Sequence, residues 1–176
     1  MAKSSIQGAF ATKALFQLAE TAANTLSYDK LETGMSVYDK VGWIIARIEY
    51  RITATTWALF NGTGDNLTVA LTSTNTLTAA TLSDSNPAVY ALRNFARIDI
   101  GTAASGLLQS GTYTDDYSTL PGGGLMVLPS PLYAGIVGSG LTGAASMNVL
   151  IYFTPMDLSD QDYFNLVQAR QLLINS

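Results

Sequence analysis

Alternation organises the middle of this chain. Val41 to Thr53 reads VGWIIARIEYRIT, with Ile44, Ala46, Ile48, Tyr50 and Ile52 on one side of an extended backbone. Ile45, Arg47, Glu49 and Arg51 fall on the other side. A period of two is that of a strand with one buried and one wet face. The pattern predicts a strand whose core side is Ile44, Ile48, Tyr50 and Ile52. At about 3.3 Å per residue it would run roughly 40 Å, longer than most strands. The plus-minus-plus run Arg47, Glu49, Arg51 predicts polar neighbours across the sheet.

Other periods flank it. Ala11, Leu15, Leu18, Ala22 and Leu26 recur at steps of three and four, which predicts an Ala-rich helix over about 9–26. Asn61-Gly62-Thr63-Gly64-Asp65 is a turn by chemistry, so Asn66 to Thr72 (NLTVALT) is expected to be a strand hairpin-linked to the first. Residues 73–86 read as a weak strand or a loop, and Val89 to Ile100 as a strand. Leu125 to Leu128 and Leu132 to Val137 are short strands around the corner Pro129-Ser130-Pro131. Met147 to Thr154 alternates with both faces fairly apolar, as in a central strand. Ser159 with Asp162 three on is a capping-box-like start for a last helix reaching about 173.

Seven or eight short strands with turn signals about every ten residues, and a helix at each end, predict an all-β sandwich or barrel. The chain divides into a helical arm (1–34), a β domain (35–157) and a C-terminal helix packed on that domain (158–176).

Composition changes the picture in one respect. Only 12% of the 176 residues are charged, the net charge is −4 and the mean hydropathy is +0.22. A typical domain has about a quarter charged residues. So little charge suits a surface covered by partners. No Lys or Arg lies between Arg51 and Arg93 or between Arg97 and Arg170, so most of the chain lacks a basic footprint for nucleic acid. The N-terminal residues form no continuous apolar run of the signal-peptide kind. Leu125 to Pro155 is uncharged but is broken by Pro129, Pro131 and repeated Gly, so it does not read as a membrane helix.

Candidate chemistry is sparse. The chain has no Cys and no His, which removes thiolate chemistry and the commonest general base. Its Lys residues stand only at 3, 13, 30 and 40, so no enzyme and no cofactor is expected. Asp115-Asp116 is the one adjacent pair of carboxylates, a weak Ca²⁺ candidate or two solvated loop aspartates. Asp65 beside Asn61 and Asn66 raises the same choice. Gly122-Gly123-Gly124 is not followed by the Lys of a phosphate loop. Gly135, Gly138 and Gly140 lie between strands and read as turns and close packing. Asn61-Gly-Thr and Asn66-Leu-Thr match glycosylation sequons by chance spacing. Trp43, Trp57, Tyr113, Tyr117 and Tyr133 could form a sugar or base platform, although packing is the commoner use of such residues.

Three stretches together resemble the single jelly-roll capsid proteins of icosahedral viruses: VGWIIARIEYRI as a first strand, LMVLPSPLYAGIVGSG as paired strands around a corner, and MNVLIYFT as a last strand. The resemblance spans about 35–155. It implies an eight-stranded two-sheet jelly-roll barrel that tiles a closed shell in the virion, in contact with copies of itself and with other coat proteins. It also implies an arm that packs on a neighbouring subunit through Ala11, Leu15, Leu18 and Leu26, the alternative being that the arm covers its own sheet. One departure stands out: residues 1–28 hold only Lys3 and Lys13, where many such proteins carry a basic arm for the genome. Direct nucleic-acid binding is therefore expected to be weak. Another protein then handles the genome, or the chain sits over an internal membrane. Two other classes fit the same pattern, a β-sandwich carbohydrate-binding or adhesion module and a phage tail-tube or fibre protein.

Overall fold

The computed structural model describes residues 12–31, 40–97, 112–128 and 131–174, with side chains of the last helix described through residue 168. The strands are β1 (Thr12–Ala19), β2 (Ser27–Lys30), β3 (Val41–Ile52), β4 (Asn66–Thr72), β5 (Val89–Ala96), β6 (Thr112–Asp116), β7 (Leu125–Val127), β8 (Tyr133–Ser139) and β9 (Ser146–Asp157). A one-turn helix α1 (Ala54–Trp57) follows β3, and α2 (Asp160–Ile174) follows β9.

The pairing is nested. β1 pairs β9, β2 pairs β8, β3 pairs β6, and β4 pairs β5, all antiparallel. This is one long double-stranded ribbon, folded back on itself and rolled up. Rolling brings β3 against β9 and β4 against β8. The result is a sheet of order β1-β9-β3-β6, with β7 also on β3, facing a sheet of order β2-β8-β4-β5. That is the jelly-roll arrangement. The two sheets form a sandwich and not a closed barrel.

The space between the sheets is apolar. Phe16, Ile45, Leu67, Leu132, Ile136 and Ile151 are each wholly buried there. Trp43 stacks on Phe153 with 3.5 Å between ring centroids. Each such side chain contributes about 1.5–3 kcal/mol through burial.

Several expectations are corrected by pairing. Of the segment expected as an N-terminal helix, residues 12–19 are strand β1 and residues 20–26 form the turn that follows it. Phe16 and Leu18, two apart, are buried opposite Val149 and Met147 of β9, and this alternation overrides the helical spacing of Leu15 and Leu18. Residues 12–31 of the expected arm (1–34) are therefore part of the β domain; Ala11 lies outside the described residues. β4 is not the hairpin partner of β3 but sits in the opposite sheet. Between them Thr53 caps α1 by accepting a hydrogen bond from the Thr56 amide. β7 and β8 likewise lie in different sheets. Residues 73–88 form a loop across the outer face of the smaller sheet, where Leu82 packs with Ala70 and Val137 and is flanked by Leu77 and Leu92.

The core face of β3 changes phase at Ala46. Ile45 pairs Phe153 and Arg47 pairs Tyr152, leaving Ala46 as the extra residue of a bulge. Before the bulge Trp43 and Ile45 point inward; after it Ile48, Tyr50 and Ile52 do. Ile44, expected in the core, is half-buried on the other side. The bulge also marks a change of partner, since β7 pairs residues 43–45 and β6 pairs residues 47–51. The Ala46 carbonyl accepts from the Tyr117 amide, where the chain leaves β6. Gly124 returns it so closely that a Cβ there would lie 2.5 Å from the Ile45 carbonyl oxygen.

Helix α2 begins where expected. The Asp162 amide donates to Ser159 Oγ, which donates to the Asp162 carboxylate, and Lys40 pairs with Asp160. Its packing is slighter than expected: Tyr163, Leu166 and Val167 are half-buried, Phe164 is exposed, and none of its described side chains is fully buried.

Candidate functional site

The outer face of the larger sheet is a regular array, because alternation and register fix which residues meet. One row across it reads Lys13, Tyr152, Arg47, Asp116; the next Leu15, Leu150, Glu49, Thr114; the third Gln17, Asn148, Arg51, Thr112. At its centre Glu49 accepts from Arg51 at 2.8 Å and pairs with Arg47 at 3.1 Å. The Arg51 hydrogen bond, followed by the charges of both arginines, holds the Glu49 carboxyl below its ordinary range. The Arg47 guanidinium also lies over the Tyr152 ring, 4.3 Å from its centroid. The face thus balances most of its own charge, and its arginines are engaged internally. Its apolar members are Leu150, nearly buried, and Leu15, which is 49% exposed on the edge strand.

One end of the sandwich is tied by carboxylates. Glu20, buried after β1, accepts from the amides of Thr25 and Gly138 on Oε1 and from Ala145 on Oε2, at 3.1, 2.7 and 2.8 Å. Asn24 exchanges two hydrogen bonds with the backbone of Leu141. Asp65 accepts from the amides of Asn61 and Gly62, closing the turn before β4. These three side chains fasten the β1–β2, β3–β4 and β8–β9 connections and serve structure.

The Ca²⁺ candidates separate. Neighbours on a strand point to opposite faces: Asp115 turns toward Arg93, 2.7 Å away. Asp116 is exposed and accepts from the Ser118 amide. Among the described residues no group of three or more His, Cys, Asp or Glu is placed to hold a metal ion. The aromatic platform is also dispersed. Trp43 and Trp57 are buried, and Tyr113 packs edge-on against Phe95 at 5.0 Å. Tyr117 and Tyr133 are half-buried on separate elements.

The four interface candidates part likewise. Leu18 is buried in its own core, and Leu26 is half-buried and packs toward the loop cluster on the smaller sheet. Leu15 alone of the described ones is presented outward. Sequence reasoning missed that β1 is an edge strand, and it missed the Glu20 tie. The first had a signal, the alternation of Lys13, Leu15, Gln17 against Ala14, Phe16, Leu18; the second had none. At the base of α2, Met126, Met156, Leu158 and Leu166 line an open groove of about 570 Å³.

No protein-family model matches the chain, and no curated protein matches it. Solved structures of viral capsid proteins do resemble its fold. The structure of tomato aspermy virus aligns at 14% identity and TM-score 0.41, over 85% of this chain and 79% of that one. VP1 of trichodysplasia spinulosa-associated polyomavirus aligns at 12% and 0.44, over 83% and 96%. The unassembled VP1 pentamer of KI polyomavirus aligns at 11% and 0.44, over 88% and 99%.

Proposed function

We propose that this chain is a structural subunit of a virion, a jelly-roll protein that associates with its own copies, and with any other coat protein of the particle, to build a closed shell. The observation that supports it is the filled interior. Jelly rolls serve as shells, lectins and cupins. Here the space between the sheets is packed with apolar side chains. The buried carboxylates Glu20, Asp65 and Glu49 bind the chain's own amides and arginines. What such a domain does, it does with its outside, and this outside is poor in charge and suited to protein contacts.

Nucleic acid is a minor partner in this reading. Lys40, Arg47, Arg51 and Arg93 are each paired with a carboxylate, which leaves few cations to displace counterions from a phosphate backbone. Genome contact then falls to another coat protein, or an internal membrane lies between.

The test is to purify the full chain and combine light scattering with negative-stain microscopy. Closed shells or uniform capsomers are expected. Rods or stacked rings would replace the reading with a tail or fibre protein. A monomer at high concentration that is retained on a sugar column would replace it with a binding module.

A further inference from the structure

The geometry points to β1 as a strand that pairs with β1 of a second copy, antiparallel across a two-fold axis, continuing the larger sheet from one subunit into the next. The inference rests on the proposed self-association and names its contact.

An edge strand offers a row of unpaired N–H and C=O groups, and natural sheets blunt such edges with charge, proline, bulges or short length. The other edges here are blunted. β2 has only four residues and carries Asp29 and Lys30. β5 and β6 flank the same side, where Arg93–Asp115 at 2.7 Å and Phe95–Tyr113 at 5.0 Å lock one sheet to the other, and β6 itself carries Asp115 and Asp116. β1 has one such device, Lys13 next to its start, and no other. It pairs β9 through eight residue pairs without a register shift, holds no proline, and is uncharged from Ala14 to Ala19. Among the described residues no strand pairs its outer edge.

Its side chains specify the occupant. In an antiparallel pair, opposite residues share a face, so an isologous contact must centre on one residue. Centring on Leu15 sets Leu15 against its own copy and covers the exposed apolar side chain of this edge. Lys13 then meets Gln17, so no like charges oppose. On the inner face Ala14 meets Phe16, small against large. Centring on Phe16 would instead oppose two rings that are already fully buried in their own cores. The Leu15 register therefore fits a second copy of this chain.

The chain lacks cysteine, so single cysteines report the contact directly. Opposite Cα atoms in such a ladder lie about 4.5–5.5 Å apart, within disulfide reach. Under mild oxidation Leu15→Cys should yield mostly cross-linked dimer. Gln17→Cys, on the same face but opposite Lys13, should stay near the background set by Thr114→Cys on β6. A mixture of Lys13→Cys and Gln17→Cys chains should give the heterologous cross-link. Particle size is read in parallel by light scattering. Large particles without the Leu15 cross-link would overturn this contact and leave the shell reading standing. The cross-link in a protein that stops at dimers would support the contact and overturn the shell. A monomer without cross-link would overturn both.

Discussion

Arg93 and Asp115 meet at 2.7 Å across the two sheets, on the flank where β5 and β6 run side by side. Asp115 also stands opposite Ile48 in the β3–β6 ladder, so one residue joins β3, β5 and β6. Its neighbour Asp116 faces solvent. Asp115→Ala should therefore cost about 1–2 kcal/mol, a loss discounted for partial exposure, and lower Tm by about 2–4 °C per kcal/mol. Asp116→Ala should shift it by less than about 1 °C. Calorimetry with added Ca²⁺ should leave both melting curves in place; a rise abolished by either substitution would revive the cation site.

Ile48 is fully buried and follows the bulge in β3, whereas Ile44 precedes it and is half-buried. Ile48→Ala should cost about 2–5 kcal/mol and Ile44→Ala well under half of that. Urea midpoints of the two variants compare them directly. Equal losses would mean that Ala46 does not shift the phase of the strand.

Glu20 receives three backbone amides, one from the β1–β2 connection, one from the end of β8 and one from the β8–β9 connection. Glu20→Gln keeps the volume but turns an NH₂ group toward at least one N–H. That leaves a buried donor unpaired, at about 1–3 kcal/mol. Hydrogen exchange should show the amides of Gly138 and Ala145 losing protection before the central strands do.

The tyrosines set an alkaline limit. Burial, reinforced by the charge of Asp115, pushes the Tyr117 hydroxyl up to about 12, and burial raises Tyr28 and Tyr50 as well. An acid whose pKa rises on folding stays neutral longer in the folded chain. Its contribution is intact below the ordinary tyrosine value of about 10 and is lost as pH rises from there through the folded value. Stability should fall between pH 10 and 12, and less steeply in Tyr117→Phe. Glu49 works in the opposite sense. Its lowered pKa gives stability that is present above the ordinary value of 4.5 and lost as pH falls through the folded value. Thermal melts across both ranges check the two signs.

The legible part of this fold was the part written in alternation. β3, β4, β5, β8 and β9 follow from runs of period two, and Ser159 marks the start of α2. What stayed hidden depends on partners distant in sequence. A helix and a strand compete for Leu15 to Leu18 on nearly equal local terms, and Val149 and Met147, some 130 residues on, decide for the strand. The phase change at Ala46 is fixed by where β6 ends and β7 begins, which no local pattern records. The hairpin expected after Asn61-Gly62 failed because Thr53 caps a helical turn that carries the chain across to the other sheet. The site was legible only as chemistry left out: Leu15, singled out on a helix face, stands instead on a sheet edge.

The excursion between Tyr117 and Gly124 has its own consequence. It leaves β3 at the Ala46 carbonyl and rejoins at the Ile45 rung, so its two ends are held one step apart whatever lies between them. Gly122 and Gly123 form its tip at positive φ, with Leu120 exposed beside them. The span is thus a permissive splice point: doubling its length costs only about 0.6 kcal/mol in closure entropy, and the sheet beneath does not register the change. A foreign peptide inserted between Gly122 and Gly123 would ride outside the strand ladder, and in a particle built from this chain it would be displayed once for every subunit.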